Sequence, residues 1–338
     1  MASNSPASIH PSSVTARYPW HDVLWSMLIG QFERLPHALL LHGRPGLGKH
    51  DFAVQLAQTL LCAQPEAGVA CGTCRSCQLF AAGTHPDLSV IGLVEDAKSI
   101  TIDQIRALGE FLSLRPHSAA RKVVIISPAE AMNLNAANGL LKLLEEPPLG
   151  CMLLLVTSHP ARLPATIRSR CSQFLFKLPD LRVGLAWLQA RASGLDQPER
   201  FLEMAGGAPL LAEVLAQEGF SENRVKWLQD LDDLRFGREE PVACAARWKS
   251  LGARRSLGWL YVFVLDLIKV LANAQAPACR NPEAVEYINK DKNKYRINEL
   301  YSYIDVIHEY YRQLGSPLDE LLMLEDVLIR WSRLSRLQ

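Results

Sequence analysis

Residues 38–50 read Ala-Leu-Leu-Leu-His-Gly-Arg-Pro-Gly-Leu-Gly-Lys-His, and this stretch decides the fold. The apolar run Ala38–Leu41 predicts a short buried strand, and the helical spacing of Phe52, Leu56 and Leu60 predicts a helix after the glycines. A strand, a glycine-rich turn and a helix are the context of a phosphate-binding loop, because the glycines let backbone N–H groups surround phosphate oxygens. The candidate loop residues are Gly43, Gly46, Gly48 and Lys49.

The loop lacks the part of the motif that handles magnesium. Ser or Thr follows the lysine in that motif because its hydroxyl ligates Mg²⁺, and here the position is His50. The β-branched run Val123–Ile126 predicts a central parallel strand, at whose end a nucleotide hydrolase carries acidic residues. This chain has Ser127 and Pro128 there, and we do not expect Glu130 to substitute. ATP hydrolysis is therefore not expected, while two alternatives stay open for the loop: ATP binding without turnover, and a turn that only joins strand to helix.

Four of the eight cysteines lie between residues 62 and 77. Three of them are spaced by two residues and the fourth lies nine positions upstream, so four thiolates can reach one tetrahedral zinc ion. A redox pair would leave two of the four without a role, and buried apolar thiols are the other alternative. Because four thiolates leave no position for a catalytic water, we expect a structural Zn²⁺. The candidate ligands are Cys62, Cys71, Cys74 and Cys77.

The composition indicates a globular protein of more than one domain. At 338 residues the chain suits about two or three domains. Its net charge of +1 argues against wholesale electrostatic capture of nucleic acid, which makes a zinc-dependent DNA-binding module a weak alternative. Residues 1–16, rich in Ser, Ala and Pro, predict a disordered tail rather than a signal peptide. Since no export signal accompanies the clustered cysteines, we expect a cytoplasmic protein whose thiols bind metal rather than form disulfides.

The second half of the chain has only helical patterns. Leu178-Pro179 marks a boundary, and a small helical domain and further helices follow it. The longest apolar run, Leu257–Ala272, contains Asp266 and Lys269 and predicts a core helix rather than a membrane span. The charged stretch Lys290–Lys294 predicts a solvated connector.

Two arginines flank a serine between the predicted strands Cys151–Val156 and Phe174–Phe176. Taken alone, Arg170 in this stretch would be expected to form a salt bridge that holds the end of a strand. Two other groups of polar residues are assigned no chemistry. His85 and Asp87 are predicted turn residues because Pro86 and Asp87 favour turns, and Glu145 and Glu146 are predicted to be solvated acids at a helix end.

Together these motifs resemble the bacterial clamp-loader branch of the AAA+ proteins. The resemblance rests on Gly43–His50, Leu140–Pro148 and Ser169–Cys171, and on the four clustered cysteines. Within this branch, Gly83–Asp87 and Ser113–His117 are similar to the subunit that does not hydrolyse ATP, and they differ from the gamma/tau ATPase subunits.

The resemblance implies three domains after the tail, although the motifs themselves span only about residues 36–178. The expected domains are a RecA-like AAA+ α/β P-loop domain over residues 17–178 with a zinc module at 62–77, a small helical lid over 179–219, and an all-α collar over 220–338 that holds a pentamer together.

The resemblance also implies a function, that of a non-hydrolysing stator subunit of the DNA polymerase III clamp loader. The implied partners are the gamma/tau ATPase subunits and the delta subunit, and the assembly places the sliding clamp on primed DNA. Arg170 is implied to act as an arginine finger at the ATP site of a neighbouring gamma/tau subunit, with Arg168 as the alternative donor. Thr157, where relatives have a phosphate-sensing residue, is expected to have lost that role. The alternative function is an active ATPase of the gamma/tau type.

Overall fold

The structure is a computed structural model that describes most of the chain. The chain forms two compact units, Met1–Pro198 with Ala205–Glu213, and Glu199–Met204 with Val214–Gln338. The described residues are 17–94, 97–117, 119, 121–191, 195, 198–217, 220–272, 283–290, 295–314 and 318–334. The predicted tail and residues 291–294 of the predicted connector lie outside the described residues.

The first unit, called the α/β unit below, is built on a five-stranded parallel sheet in the order β2-β3-β4-β1-β5. The strands are β1 Ala38–Gly43, β2 Leu88–Ile91, β3 Lys122–Ile126, β4 Cys151–Thr157 and β5 Ser172–Phe176. The strands expected around the loop and the arginine pair are therefore confirmed. The run Val123–Ile126 is an interior strand, and β4 occupies the middle of the sheet.

Helices cover both faces of this sheet. They are α1 Asp22–Ile29, α2 Lys49–Leu61, α3 Arg75–Ala81, α4 Ile102–Ser113, α5 Leu134–Glu145 and α6 Ala165–Arg168. A further helix, α7 Leu181–Arg191, follows β5. Successive strand residues point to opposite faces. Leu40 and Leu155 thus pack in one cluster with α4 and α5, and Leu41 and Leu154 pack in the other with α2. Burial on both faces explains why these strands are continuous apolar runs.

Two short helices follow α7, namely α8 Pro198–Met204 and α9 Pro209–Gln217. The segment Ala205–Glu213 belongs to the α/β unit, and Glu199–Met204 belongs to the second unit. A division into two units does not test the three-domain scheme, so the boundaries 179–219 of the lid stay a prediction.

The second unit, called the helical unit below, contains α10 Phe220–Arg235, α11 Pro241–Leu251, α12 Ala253–Ala272, α13 Glu283–Lys290, α14 Ile297–Gln313 and α15 Glu320–Leu334. Trp227, Trp248 and Trp331 are fully buried in its core. The apolar run Leu257–Ala272 lies within α12 and is confirmed as a core helix, with Asp266 buried and paired with Lys269 at 2.8 Å. Among the described residues, no helix is long and apolar enough to cross a membrane.

Candidate functional site

The candidate site residues lie at two opposite edges of the sheet. All five strands run in the same direction, so the loop after β1 and the residues after β3 and β4 share the carboxyl edge. Arg170 precedes β5 and therefore lies at the amino edge. The five residues of β5 separate the two edges by about 16 Å at 3.3 Å per residue.

Gly46 and Gly48 are positions of the loop that require glycine. Gly46 has a φ of 76° and Gly48 a φ of 73°, both in the left-handed region that favours glycine. Gly48 directly precedes α2, and a Cβ at this position would overlap the ring of Tyr18. The loop is therefore closely packed against the chain around it.

Lys49, the lysine of the loop, is held by its own chain. Its side chain is buried, and Nζ donates hydrogen bonds to the backbone O of Arg44 at 2.7 Å and to Ser158 Oγ at 3.0 Å. Burial lowers the pKa of Lys49 to about 8, although the nearby Glu130 carboxylate favours the charged form. The ammonium that would bind phosphate oxygens in this motif thus has two internal acceptors.

Glu130 lies closer to the loop than the sequence indicated. Its Oε1 accepts a hydrogen bond of 3.0 Å from the backbone N–H of Ser158, while Oε2 is buried without a hydrogen-bond partner among the described residues. His50 follows the lysine at the start of α2, and burial lowers its pKa, so it is a neutral imidazole near pH 7. Ser158 was missed as a contact of the lysine, although its place directly after β4 puts it at the carboxyl edge.

The aromatic segment 18–21, which precedes α1, packs against the glycine-rich loop. The rings of Tyr18 and Trp20 stack at 5.0 Å. Tyr18 donates to Asp51 at 2.8 Å, while Trp20 Nε1 at 3.0 Å and His21 Nε2 at 2.7 Å both contact the backbone O of Leu47. Nothing in the sequence pairs these residues with a loop so much farther along the chain, so no role for them was predicted.

The four clustered cysteines come together as predicted. Their Sγ atoms lie within 4.8 Å of one another, with Cys62 at 3.6 Å from Cys71 and 3.9 Å from Cys74. Four sulfurs at about 2.3 Å from a tetrahedral zinc ion are about 3.8 Å apart, so these separations fit such an ion. The set could hold a metal ion, and its all-thiolate character suits zinc.

Backbone N–H groups point at the cysteine sulfurs. The N–H groups of Cys71, Cys74 and Cys77 donate to the Sγ atoms of Cys62, Cys71 and Cys74, each at 3.4 Å. The donors from Cys74 and Thr73 lower the pKa of Cys71 to about 6, whereas burial raises the pKa of Cys62 and Cys77. Amide donors of this kind stabilise thiolates, the form of cysteine that binds metal ions.

A buried hydrogen-bond network ties the cysteine module to the sheet. Asp87 N donates to His85 Nδ1 at 3.1 Å, which leaves Nε2–H to donate to Ser76 Oγ at 2.8 Å. Ser76 in turn donates to the backbone O of Leu61. His85 and Asp87 lie at a turn as predicted, but they are buried, and Asp87 also accepts from the backbone N–H of His117 at 2.7 Å.

Arg170 is fixed by local contacts at the amino edge of the sheet. Its Nη2 forms an ion pair of 2.7 Å with Glu145, and Nη1 donates to the backbone O of Thr166 at 3.0 Å. The salt bridge expected from the residues alone is therefore present, and the partner of Arg170 in it is Glu145, which was predicted to be a solvated acid at a helix end. Arg168 is less exposed and its Nε is buried without an acceptor among the described residues, while Thr157 is buried and accepts from His159 N.

Comparison with known proteins identifies the family. The model described as DNA polymerase III, delta subunit, matches residues 23–180, and the model described as DNA polymerase III, delta subunit, C terminal, matches residues 218–333. DNA polymerase III subunit delta' of Pseudomonas aeruginosa is 35% identical over 325 residues, which cover 94% of this chain and 98% of that protein. The chain belongs to the DNA polymerase III delta' family.

Two further relatives define the extent of the similarity. DNA polymerase III subunit delta' of Escherichia coli (strain K12) is 32% identical over 256 residues, 75% of this chain and 76% of that protein. DNA polymerase III subunit tau of Bacillus subtilis (strain 168) is 33% identical over 145 residues, 43% of this chain and 25% of that protein. The delta' membership confirms the resemblance to the clamp-loader branch and the expected fold class, an α/β P-loop domain followed by helices.

Proposed function

We propose that this member of the delta' family is a non-hydrolysing stator subunit of the clamp loader, and that Arg170 acts in trans. The assembly would place a sliding clamp on primed DNA in the cytoplasm. Its direct partners would be gamma/tau ATPase subunits and the delta subunit, in line with the family membership and the similarity to a tau subunit.

The position of Arg170 carries the proposal. The residue lies at the amino edge of the sheet, about one strand length away from its own phosphate-binding loop at the carboxyl edge. Its guanidinium therefore cannot serve that loop, and with 37% of its side chain exposed it can reach a partner. A guanidinium that stays charged and donates from a plane suits phosphate oxygens on a neighbouring subunit.

The loop of the chain itself supports the non-hydrolysing part of the proposal. Lys49 is occupied by two acceptors, His50 offers no hydroxyl, and Ser127 follows β3 where an acid would hold Mg²⁺. Gly43, Gly46, Gly48 and Lys49 keep the form of a nucleotide loop, yet we propose no ATP turnover at this site.

The cysteine cluster is proposed to hold one structural Zn²⁺. Cys62, Cys71, Cys74 and Cys77 would occupy all four tetrahedral positions, so the ion would stabilise the α/β unit and bind no water or substrate.

The experiment is reconstitution of the complex with gamma/tau, delta and this chain, followed by clamp- and DNA-stimulated ATPase measurements. Arg170→Ala should leave assembly intact and slow hydrolysis at the neighbouring site by roughly 10³–10⁵, the range known for arginine fingers supplied in trans. The total rate should fall less, because other ATP sites of the complex keep their own fingers.

Arg168→Ala is the matched control for the neighbouring arginine. Equal turnover in the wild-type and Arg170→Ala complexes would remove the proposed role, and a large loss with Arg168→Ala alone would move it to Arg168. Magnesium-dependent hydrolysis by the isolated chain, abolished in Lys49→Ala, would favour the gamma/tau-type ATPase instead.

A further inference from the structure

Both terminal nitrogens of Arg170 are engaged before any partner is present. Nη2 contacts Glu145 Oε1 at 2.7 Å, and Nη1 contacts the backbone O of Thr166 at 3.0 Å. A guanidinium has more N–H donors than these two contacts use, so donors remain for phosphate oxygens while both contacts are kept.

The backbones that carry this ion pair are fixed by the core. Glu145 is the last residue of α5, and Leu144 beside it is buried in the cluster on one face of the sheet. Arg170 N donates to the backbone O of Ile167 at 3.1 Å, and the side chain of Ile167 is fully buried in the same cluster. The freedom of the pair is therefore confined to the two side chains.

Glu146, the neighbouring acid, provides a contrast. It caps α5 through its backbone N–H, which donates to Lys142 O at 3.0 Å, and its exposed side chain has no hydrogen bond or ion pair in the part of the chain that the structure describes. The side chains of these two adjacent, exposed glutamates thus differ in that only Glu145 contacts the guanidinium of Arg170.

We propose that Glu145 is a positioning residue for Arg170. Its carboxylate holds the guanidinium in one orientation at the amino edge of the sheet. The Arg170 side chain therefore loses less conformational entropy when it binds a phosphate of a neighbouring subunit. This inference rests on the proposed function of Arg170 in trans. Glu145 itself touches no nucleotide and acts only through the arginine.

The size of the effect follows from exposure. The side chains of Arg170 and Glu145 are 37% and 50% exposed, so water screens their attraction. Loss of the ion pair should therefore lower the hydrolysis rate at the neighbouring ATP site by about two- to fivefold. Loss of the arginine itself should lower that rate far more.

The first test measures the arginine side chain in the full-length chain without partners. In a ¹⁵N-arginine-labelled sample, the Arg170 Nε–Hε resonance is assigned by its absence in Arg170→Lys, and its order parameter is measured. Glu145→Gln and Glu145→Ala should lower that order parameter, and Glu146→Gln should leave it unchanged. An order parameter that is the same in all of these variants would overturn the inference.

The second test uses the reconstituted complex. At the neighbouring ATP site, Glu145→Gln should lower the hydrolysis rate by about two- to fivefold with the KM for ATP at that site unchanged, while Glu146→Gln has no effect. In the Arg170→Ala background, Glu145→Gln should have no further effect, because a residue that acts through the arginine loses its role with it. Additive losses, or faster turnover in Glu145→Gln, would contradict positioning.

The two tests separate this inference from the function on which it rests. If Arg170→Ala leaves ATP turnover unchanged, the proposed arginine-finger role of Arg170 is wrong. The order parameter then still decides whether Glu145 holds the guanidinium. If Arg170→Ala slows ATP turnover but Glu145→Gln changes neither turnover nor the order parameter, the role of Arg170 is supported. Only the positioning role of Glu145 is then wrong.

Discussion

At the residue scale, Lys49 and Arg170 are two cations of one unit with opposite surroundings. Lys49 is 5% exposed and both its acceptors belong to its own chain, whereas Arg170 lies at the surface of the opposite sheet edge. Strand direction explains why they lie at opposite edges, because one residue comes after a strand and the other before one. At the two opposite edges of one parallel sheet, Lys49 is thus buried and Arg170 is exposed.

Gly48 gives a test of how closely the loop is packed. Gly48→Ala places a Cβ at a left-handed φ of 73° and into the ring of Tyr18. We expect the free energy of unfolding of the α/β unit to fall by about 2–4 kcal/mol, from backbone strain and overpacking together. Denaturant unfolding followed by circular dichroism measures this change.

Gly207→Ala is the control for Gly48→Ala. Gly207 also has a left-handed φ, 84°, but its nearest neighbours are atoms of Leu178 at 3.7 Å, an ordinary contact. The control should cost only the backbone strain, about 1–2 kcal/mol. Equal losses in the two variants would mean that the Tyr18 ring moves aside without cost and that the loop is not closely packed.

At the element scale, the cysteine module joins α2 to β2. Cys62 follows α2, Cys77 lies in α3, and His85 connects Ser76 to the turn before β2. A metal ion bound by the cysteines would fix the path of the chain between these elements. The module is therefore expected to contribute more to stability when the metal is present, in addition to the hydrogen bonds of Ser76 and His85.

Metal binding is tested by substitution within and outside the cluster. Purified wild-type chain should contain one equivalent of zinc by atomic emission spectrometry, and Cys62→Ser should contain much less, since three thiolates do not complete the site. Cys151→Ser removes a buried thiol outside the cluster and should keep the metal.

A strong chelator should lower the unfolding midpoint of the wild type and leave that of Cys62→Ser unchanged. Metal-free wild-type protein after native purification would count against the site.

At the scale of the whole molecule, buried and partly buried histidines make the α/β unit sensitive to acid. Burial lowers the pKa of His21, His42 and His50, and all three belong to this unit. A histidine whose folded-state pKa lies below its unfolded value of about 6.5 binds a proton more weakly when folded. Its contribution to stability is complete above that pH and is lost as the pH falls below it.

We therefore expect the free energy of unfolding of the α/β unit to decrease between about pH 7 and about pH 5. His21→Gln should make this dependence shallower, because glutamine can still donate to the backbone O of Leu47 but takes up no proton. Denaturant unfolding of wild type and variant at both pH values measures the two slopes. Equal slopes of the free energy of unfolding against pH in wild type and variant would show that unfolding does not change the protonation of His21.

The sequence predicted the elements of the molecule better than the contacts between them. Ala38–Leu41, Val123–Ile126 and the cysteine spacing are local patterns, and each predicted a strand or a cluster that the structure contains. The pairs Arg170–Glu145 and Lys49–Ser158 join segments that are far apart along the chain. No local pattern encodes such contacts, since they depend on strand order and on where each helix ends.

The internal contacts of Lys49 bear on how sequences of this kind can evolve. A threonine at position 50 would restore a hydroxyl for Mg²⁺, yet Arg44 O and Ser158 Oγ would still hold the lysine. Ser127 would still stand where an acid is needed, and Tyr18 would still cover Gly48. If the loop hydrolyses no ATP, as proposed, one substitution would therefore not be enough to gain that activity, because several of these features would have to change together. If Arg170 serves a neighbouring subunit as proposed, this exposed residue at the opposite edge of the sheet could change together with that neighbour and independently of the chain's own loop.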